Sequence, residues 1–180
     1  VRPADANETA QAWAQALRHT DRPTALILTR QDVPTIERGE GAAAPAELLA
    51  RGGYVLQEAS TGTPDVVLLA TGSEVGVALA GRELLEAEGI PTRVVSLPCL
   101  EWFAEQPAEY RAEVLPATAA KVSLEAGIAM GWRELVGDAG EIISIEHFGE
   151  SASGTMLLAK YGFTPENVVE RAKLALSRKN

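Results

Sequence analysis

Apolar residues recur along this chain with two different periods, and the places where the period changes divide it into elements. Ala10, Trp13, Ala14 and Leu17 share one helical face behind Asp5 and Glu8, which stand at capping-box spacing, so the pattern predicts an amphipathic helix over 5–20. Residues 24–29 (TALILT) are a short β-prone run entered through Arg22 and Pro23, which predicts a buried strand ending at 30–32. Between 33 and 45, Pro34, Pro45, Gly39, Gly41, mixed charge and an alanine triplet give linker composition, and a domain boundary is expected there.

Beyond that boundary the pattern predicts a short helical stretch at 47–50 and strands at 54–58 and 65–70. The brief Gly/Thr/Pro turn at 60–64 favours antiparallel pairing of those two strands. A helix over 73–88 places Val77, Ala80, Gly81, Leu84 and Ala87 on one side, Arg82, Glu83 and Glu86 on the other, and stops at Gly89. A strand at 92–97, helical material within 100–114, a strand at 121–125, a helix at 130–136 and a strand at 141–145 follow. The closing helix is marked by Thr164 as N-cap, Pro165 in the first turn, and an apolar stripe of Val168, Val169, Ala172 and Leu176. Its Arg171, Lys173, Arg178 and Lys179 favour the negative end. Strands separated by helices make βαβ units. The expected fold class is therefore α/β: a three-layer αβα domain with a mostly parallel five-stranded sheet carrying one antiparallel edge strand. Residues 1–32 read as the tail of another domain, 33–45 as linker and 46–180 as the main domain.

With 46% hydrophobic residues in 180, the chain can bury one sizeable core, with or without an appended segment. Its net charge of -9 argues against nucleic acid or an anionic membrane as a general partner, so any anionic ligand needs a local cationic site. Cys99 is the lone cysteine and cannot form an internal disulfide, and His19 and His147 lack metal-ligand spacing; a reducing cytoplasm is the natural assignment. No apolar run approaches the roughly 20 residues of a membrane span, and the start has no basic region followed by an apolar signal segment. The absence of an initiator Met predicts an excised or processed fragment.

Arg30 follows an apolar run at its carboxyl end, where α/β sheets place ligand groups, and its guanidinium suits phosphate oxygens; a lone surface ion pair is the competing reading. Thr71, Gly72, Ser73 and Glu74 lie between a strand and a helix N-terminus, where backbone N–H groups could receive an anion. That turn lacks a Walker lysine and the dinucleotide glycine pattern, and Thr71 or Ser73 can cap the helix with Glu74 completing a box from Thr71. Glu125 and Trp132 could line a pocket, but a tight turn and a packed aromatic explain them as well. His147 between Glu146 and Phe148 has no nucleophile elbow to serve. His19 reads as a dipole contact at a helix end, and Cys99 as a packed thiol.

A family resemblance adds to this reading. Residues 2–5 (RPAD), Glu8-Thr9, Ala12-Trp13 and 22–31 (RPTALILTRQ) resemble the end of the transketolase pyrimidine-binding domain. Residues 51–56 (RGGYVL), 70–75 (ATGSEV), 93–98 (RVVSLP), Tyr110-Arg111, 114–116 (VLP), 125–127 (EAG) and 148–152 (FGESA) are similar, in order and spacing, to the transketolase C-terminal domain. The resemblance covers essentially the whole chain and makes 1–32 the tail of the pyrimidine-binding domain. It implies a homodimeric, cytoplasmic parent of the pentose phosphate pathway that moves a two-carbon ketol unit between sugar phosphates, using thiamine diphosphate with a divalent cation, Mg or Ca. It further implies that Arg30 helps hold the substrate phosphate, that no residue here is catalytic or binds cofactor or metal, and that the chain is inactive alone. Thr29 stands where many relatives have Ser. Two other readings compete: a stand-alone nucleotide- or anion-binding regulatory module, and a related thiamine enzyme such as a dihydroxyacetone synthase or the beta part of a 2-oxoacid dehydrogenase.

Overall fold

A computed structural model of the chain describes residues 1–179. Five strands, β1 (Tyr54–Gln57), β2 (Val66–Ala70), β3 (Thr92–Ser96), β4 (Ala120–Leu124) and β5 (Glu141–Ile143), form one sheet in the order β1-β3-β2-β4-β5. β2 pairs in parallel with β3 and β4, β4 pairs in parallel with β5, and β1 is the antiparallel edge. β2 is buried at every position because both faces are covered, as its uninterrupted apolar sequence requires. Val66, Leu68 and Ala70 join one core, Val67 and Leu69 the other.

The helices are α1 (Ala6–Arg18), α2 (Glu74–Ala87), α3 (Leu100–Ala104), α4 (Ala108–Val114), α5 (Trp132–Val136), α6 (Gly154–Lys160) and α7 (Pro165–Lys179), with a 3-10 turn at Ala46–Arg51. One face of the sheet is covered by the long helices α2 and α7, the other by Phe103, Val114, Trp132 and Val136 from the short α3, α4 and α5. Among the described residues no helix is long and apolar enough to cross a membrane.

Four sequence expectations are corrected. β1 pairs with β3, not β2, because both edges of β2 carry five-residue parallel ladders. The four-residue β1 alternates buried and half-buried, which suits an edge. Residues 24–29 run extended but form no strand, and Ile27 (58%) and Leu28 (52%) are exposed. Among the described residues their backbone partner is Val1, whose amino group donates to Ala25 O (2.8 Å) and whose carbonyl accepts from Ile27 N (2.9 Å), too little to make a sheet. α1 turns Glu8 and Ala12 inward and leaves Trp13 (57%) and Leu17 (77%) in solvent, because Glu8 is held by polar partners described below. α2 buries Glu74, Val75, Ala78, Gly81 and Leu85 instead of the stripe containing Leu84. Gly81 sits where a Cβ would come within 2.7 Å of Val168 Cγ1, so close approach of α2 and α7 fixes that rotation. The helical material expected within 100–114 is present as two helices, with Pro107 as the N-cap residue of α4. α6 has no counterpart in the sequence pattern. The closing helix begins as expected, with Thr164 Oγ1 accepting from Asn167 N at 3.3 Å.

Candidate functional site

β2 leads through α2 toward β3 on one side, while β4 leads toward β5 on the other, so a crevice opens between the carboxyl ends of β2 and β4. Open α/β sheets place ligands at such a switch point. Here the crevice holds Arg2 of the same chain. Arg2 Nη1 donates to Thr71 Oγ1 (2.7 Å) and lies 2.9 Å from Glu74 Oε2 and 3.3 Å from Glu125 Oε1. The contact to Glu74 Oε2 is an ion pair without hydrogen-bond alignment. The Arg2 backbone is fixed as well, donating to Pro98 O (2.7 Å) and accepting from Gly72 N (3.1 Å). Gly72 has φ +53, and a Cβ there would stand 3.1 Å from the Arg2 guanidinium carbon, so the turn needs glycine for backbone conformation and for space.

This arrangement overturns both readings of residues 71–74. Thr71 spends its hydroxyl on Arg2 and builds no capping box, while Ser73 lies in helical conformation and donates to Glu74 Oε1 at 2.8 Å. With a buried Glu74 and with Glu125 facing Arg2, the crevice has the chemistry of a guanidinium site; an anion would meet two carboxylates. The regulatory anion-binding alternative loses its basis.

Arg30 lies on an exposed loop and makes no side-chain hydrogen bond or ion pair among the described residues. On either side of it, Thr29 Oγ1 donates within the loop to Gln31 O (3.0 Å), and Gln31 Nε2 ties the loop to Ser73 Oγ (3.3 Å). Thr29 and Gln31 line, with Arg2, Glu74, Leu158 and Tyr161, a cavity of about 280 Å³. The loop thus presents an unneutralised guanidinium beside a small cleft, and its planar fork suits a phosphate.

A second polar cluster, whose extent the sequence conceals, lies under α1. Glu8 is wholly buried; its Oε1 accepts from Tyr54 OH (2.6 Å) and Ser96 Oγ (2.7 Å), and its Oε2 from Ala4 N (2.8 Å). Asp5 caps α1 by accepting from Glu8 N (2.8 Å), and also accepts from Ile36 N (2.9 Å). The reciprocal half of the expected box is displaced by one residue, from Asp5 N to Ala4 N. Arg38 Nη1 donates to Tyr54 OH and Ala44 O, both at 2.8 Å, and Arg38 Nη2 to Asp5 Oδ1 at 3.3 Å. Burial, reinforced by the Glu8 carboxylate, pushes the Tyr54 phenol well above its ordinary pKa, so it stays a donor.

The remaining candidates are separate from the Arg30 loop, apart from Glu125, which pairs with Arg2. Trp132 is buried in the second core. His19 stacks on Trp102 with ring centroids 4.6 Å apart, and exposed His147 packs edge-on against Tyr161 at 4.8 Å. Cys99 is buried, and burial raises its thiol pKa. Among the described residues no three His, Cys, Asp or Glu side chains group to hold a metal ion.

Residues 52–164 match the family model described as the transketolase-like TK C-terminal domain. The chain is 50% identical over 183 aligned residues to a transketolase of Geobacillus stearothermophilus, covering 99% of this chain and 26% of that protein. It therefore spans about a quarter of the length of the curated relatives it matches. Its fold superposes on a transketolase from Leishmania mexicana with a TM-score of 0.89 at 35% identity, over 99% of this chain and 25% of that one. A Pichia stipitis transketolase solved in complex with sedoheptulose-7-phosphate gives a TM-score of 0.87 at 35% identity, over 98% and 25% respectively.

Proposed function

Because this chain belongs to the transketolase family, we propose that it serves as the C-terminal part of an enzyme that transfers a two-carbon ketol unit between sugar phosphates, and that Arg30 binds the substrate phosphate. In this reading residues 1–32 complete the pyrimidine-binding domain, 33–45 link, and 46–180 form the C-terminal domain of a cytoplasmic homodimer. The observation that carries the Arg30 assignment is an exposed guanidinium with no internal partner among the described residues, on a loop tied through Gln31 to Ser73. A bidentate contact from it would orient the sugar phosphate and contribute to binding. The sugar phosphate bound by the Pichia stipitis relative supports that substrate class.

Thiamine diphosphate with Mg or Ca would supply the carbanion chemistry. The residues of this chain do not fit it: the Arg30 loop offers a guanidinium, an amide and hydroxyls, with no carboxylate group arranged for the cation. Cofactor binding and catalysis are therefore assigned outside residues 1–180, and the chain alone is expected to be inactive. The test is a ketol-transfer assay with added thiamine diphosphate and magnesium. Expected are no turnover by the chain alone and, in the full-length enzyme, an Arg30→Ala variant with a KM for sugar phosphates raised at least about tenfold. Turnover by the isolated chain would overturn the assignment of catalysis; an unchanged KM would overturn that of Arg30.

A further inference from the structure

We propose that Lys121 is an acylation site: its amine, standing beside Arg111 in a cavity with an apolar lining, takes the acyl group of a small anionic donor of the acyl phosphate class.

The cavity, of about 560 Å³, lies on the sheet face covered by the short helices, between α3 and α4 on one side and α5 on the other. Its apolar lining includes Phe103, which is buried in the second core, and Leu100, Leu115 and Leu135, which pack against that core. Arg111 on α4 and Lys121, the second residue of β4, supply its cations. All of these lie within residues 100–135, so the half-buried Lys121 owes its surroundings to the packing around its own strand. It stands at the amino end of β4, the opposite end of the strand from the crevice that seats Arg2.

Lys121 differs from its fellow lysines in having no counter-charge. Lys160 pairs with Glu150 at 2.6 Å and Lys173 with Glu88 at 2.5 Å. Among the described residues Lys121 makes no ion pair, and its amine reaches only Ala119 O at 3.4 Å. Arg111 likewise makes no side-chain hydrogen bond or ion pair among them. Two carboxylates also line the cavity, but Glu101 turns its own toward the Cys99 thiol (3.4 Å), and the exposed Glu134, in the first turn of α5, pairs with neither cation. Lys179 adds like charge from the rim, where its amine donates to Ala117 O at 3.0 Å. Burial, and after it Lys179, lowers the Lys121 pKa, whereas the bond to Glu150 raises that of Lys160. Desolvation in an apolar pocket beside another cation is what turns a lysine into a nucleophile.

The planar fork of Arg111 suits the phosphate of an acyl phosphate, and the apolar lining suits its acyl group. The neutral amine attacks the acyl carbon, the bond from that carbon to the phosphate oxygen breaks, phosphate departs, and the surplus proton on nitrogen passes to solvent. Nothing is oxidised or reduced. The amide that results is uncharged, so the modification relieves the cavity of a poorly solvated ammonium.

The test is treatment of the full-length enzyme with acetyl phosphate and, separately, with the neutral donor acetic anhydride, followed by mass spectrometry of each lysine. Lys121 is expected to be acetylated at least about tenfold faster than Lys160 and Lys173 by either donor. Arg111→Gln, at an exposed position, is expected to slow the reaction of Lys121 with acetyl phosphate at least about threefold and to leave that with acetic anhydride within about twofold. Glu134→Gln removes the opposing charge and should speed the reaction with acetyl phosphate alone. Acetylation of Lys121 no faster than of Lys160 and Lys173 would overturn the proposal, whether because another part of the enzyme covers the cavity or because the amine stays charged. Equal slowing with both donors in Arg111→Gln would overturn the role given to Arg111.

Discussion

The Tyr54 hydroxyl donates to Glu8 Oε1 across 2.6 Å, tying the edge strand of the sheet to the first turn of α1. Around that bond, Ser96 and Arg38 complete a network joining β3 and residues 36–44 to the same carboxylate cluster. Residues 33–45, which have the composition of a flexible linker, are thereby held at Ile36, Arg38 and Ala44. Buried polar contacts, together with the packed Ala4 and Ala12, dock α1 on the domain.

Removing Glu8 should therefore release α1. Glu8→Ala leaves Tyr54, Ser96 and Ala4 N without their acceptor and Arg38 with Asp5 as its remaining carboxylate, and is expected to cost about 3–5 kcal/mol in urea unfolding. Tyr54→Phe removes one donor and is expected to cost about 1–2 kcal/mol. Equal costs for the two would contradict the central place given to the carboxylate.

Gly52 tests a different constraint. It has φ +76, and a Cβ there would lie 2.3 Å from Phe103 N and 2.5 Å from Cys99 O. Gly52→Ala should leave little folded protein by circular dichroism. Gly62, with φ +75 but open space around it, is the control, and Gly62→Ala should cost only about 1–2 kcal/mol.

Acid stability is expected to depend on Glu86. Burial opposes its ionisation, but hydrogen bonds from Ser60 Oγ (2.5 Å), Thr92 N (2.8 Å) and Ser60 N (3.0 Å) outweigh that and hold its pKa below the ordinary 4.5. A carboxylate lowered on folding contributes stability above its unfolded pKa and loses it as pH falls through the folded one. Glu86→Gln should thus flatten the fall of the urea midpoint below about pH 4.5, and an unchanged slope would show that other groups govern it.

The Cys99 thiol, buried and shifted upward, should resist alkylation in the native protein. Iodoacetamide labelling followed by mass spectrometry should show modification only as fast as the chain opens. Rapid labelling at neutral pH would contradict its packing.

Local periodicity made the layer order and most strands legible, because β2, β3 and the α7 stripe each carry their own pattern. What it could not reveal depends on partners distant in the chain. The run 24–29 has strand chemistry but, among the described residues, no ladder neighbours beyond Val1, and β1 chooses β3 because β2 is already flanked on both sides. The face of α2 followed hydropathy in prediction, whereas Glu74 is drawn inward by Arg2, a pairing 72 positions apart that no local pattern signals. At the candidate site, Arg30 was visible through its motif and its place after an apolar run; Arg2 and Glu125 gave no local sign of meeting. Glu8 stood out as a capping residue, and the box spacing hid that its carboxylate is the hub of a buried network.

α7 covers β4, β5 and the back of α2, yet it is built from residues 165–179. During synthesis the parallel strands exist long before the helix that seals them, with Val168, Val169, Ala172 and Ala175 still to come. The nascent domain must wait with one face of the sheet covered by α2 alone until those residues clear the ribosome, the interval in which chaperones would find it.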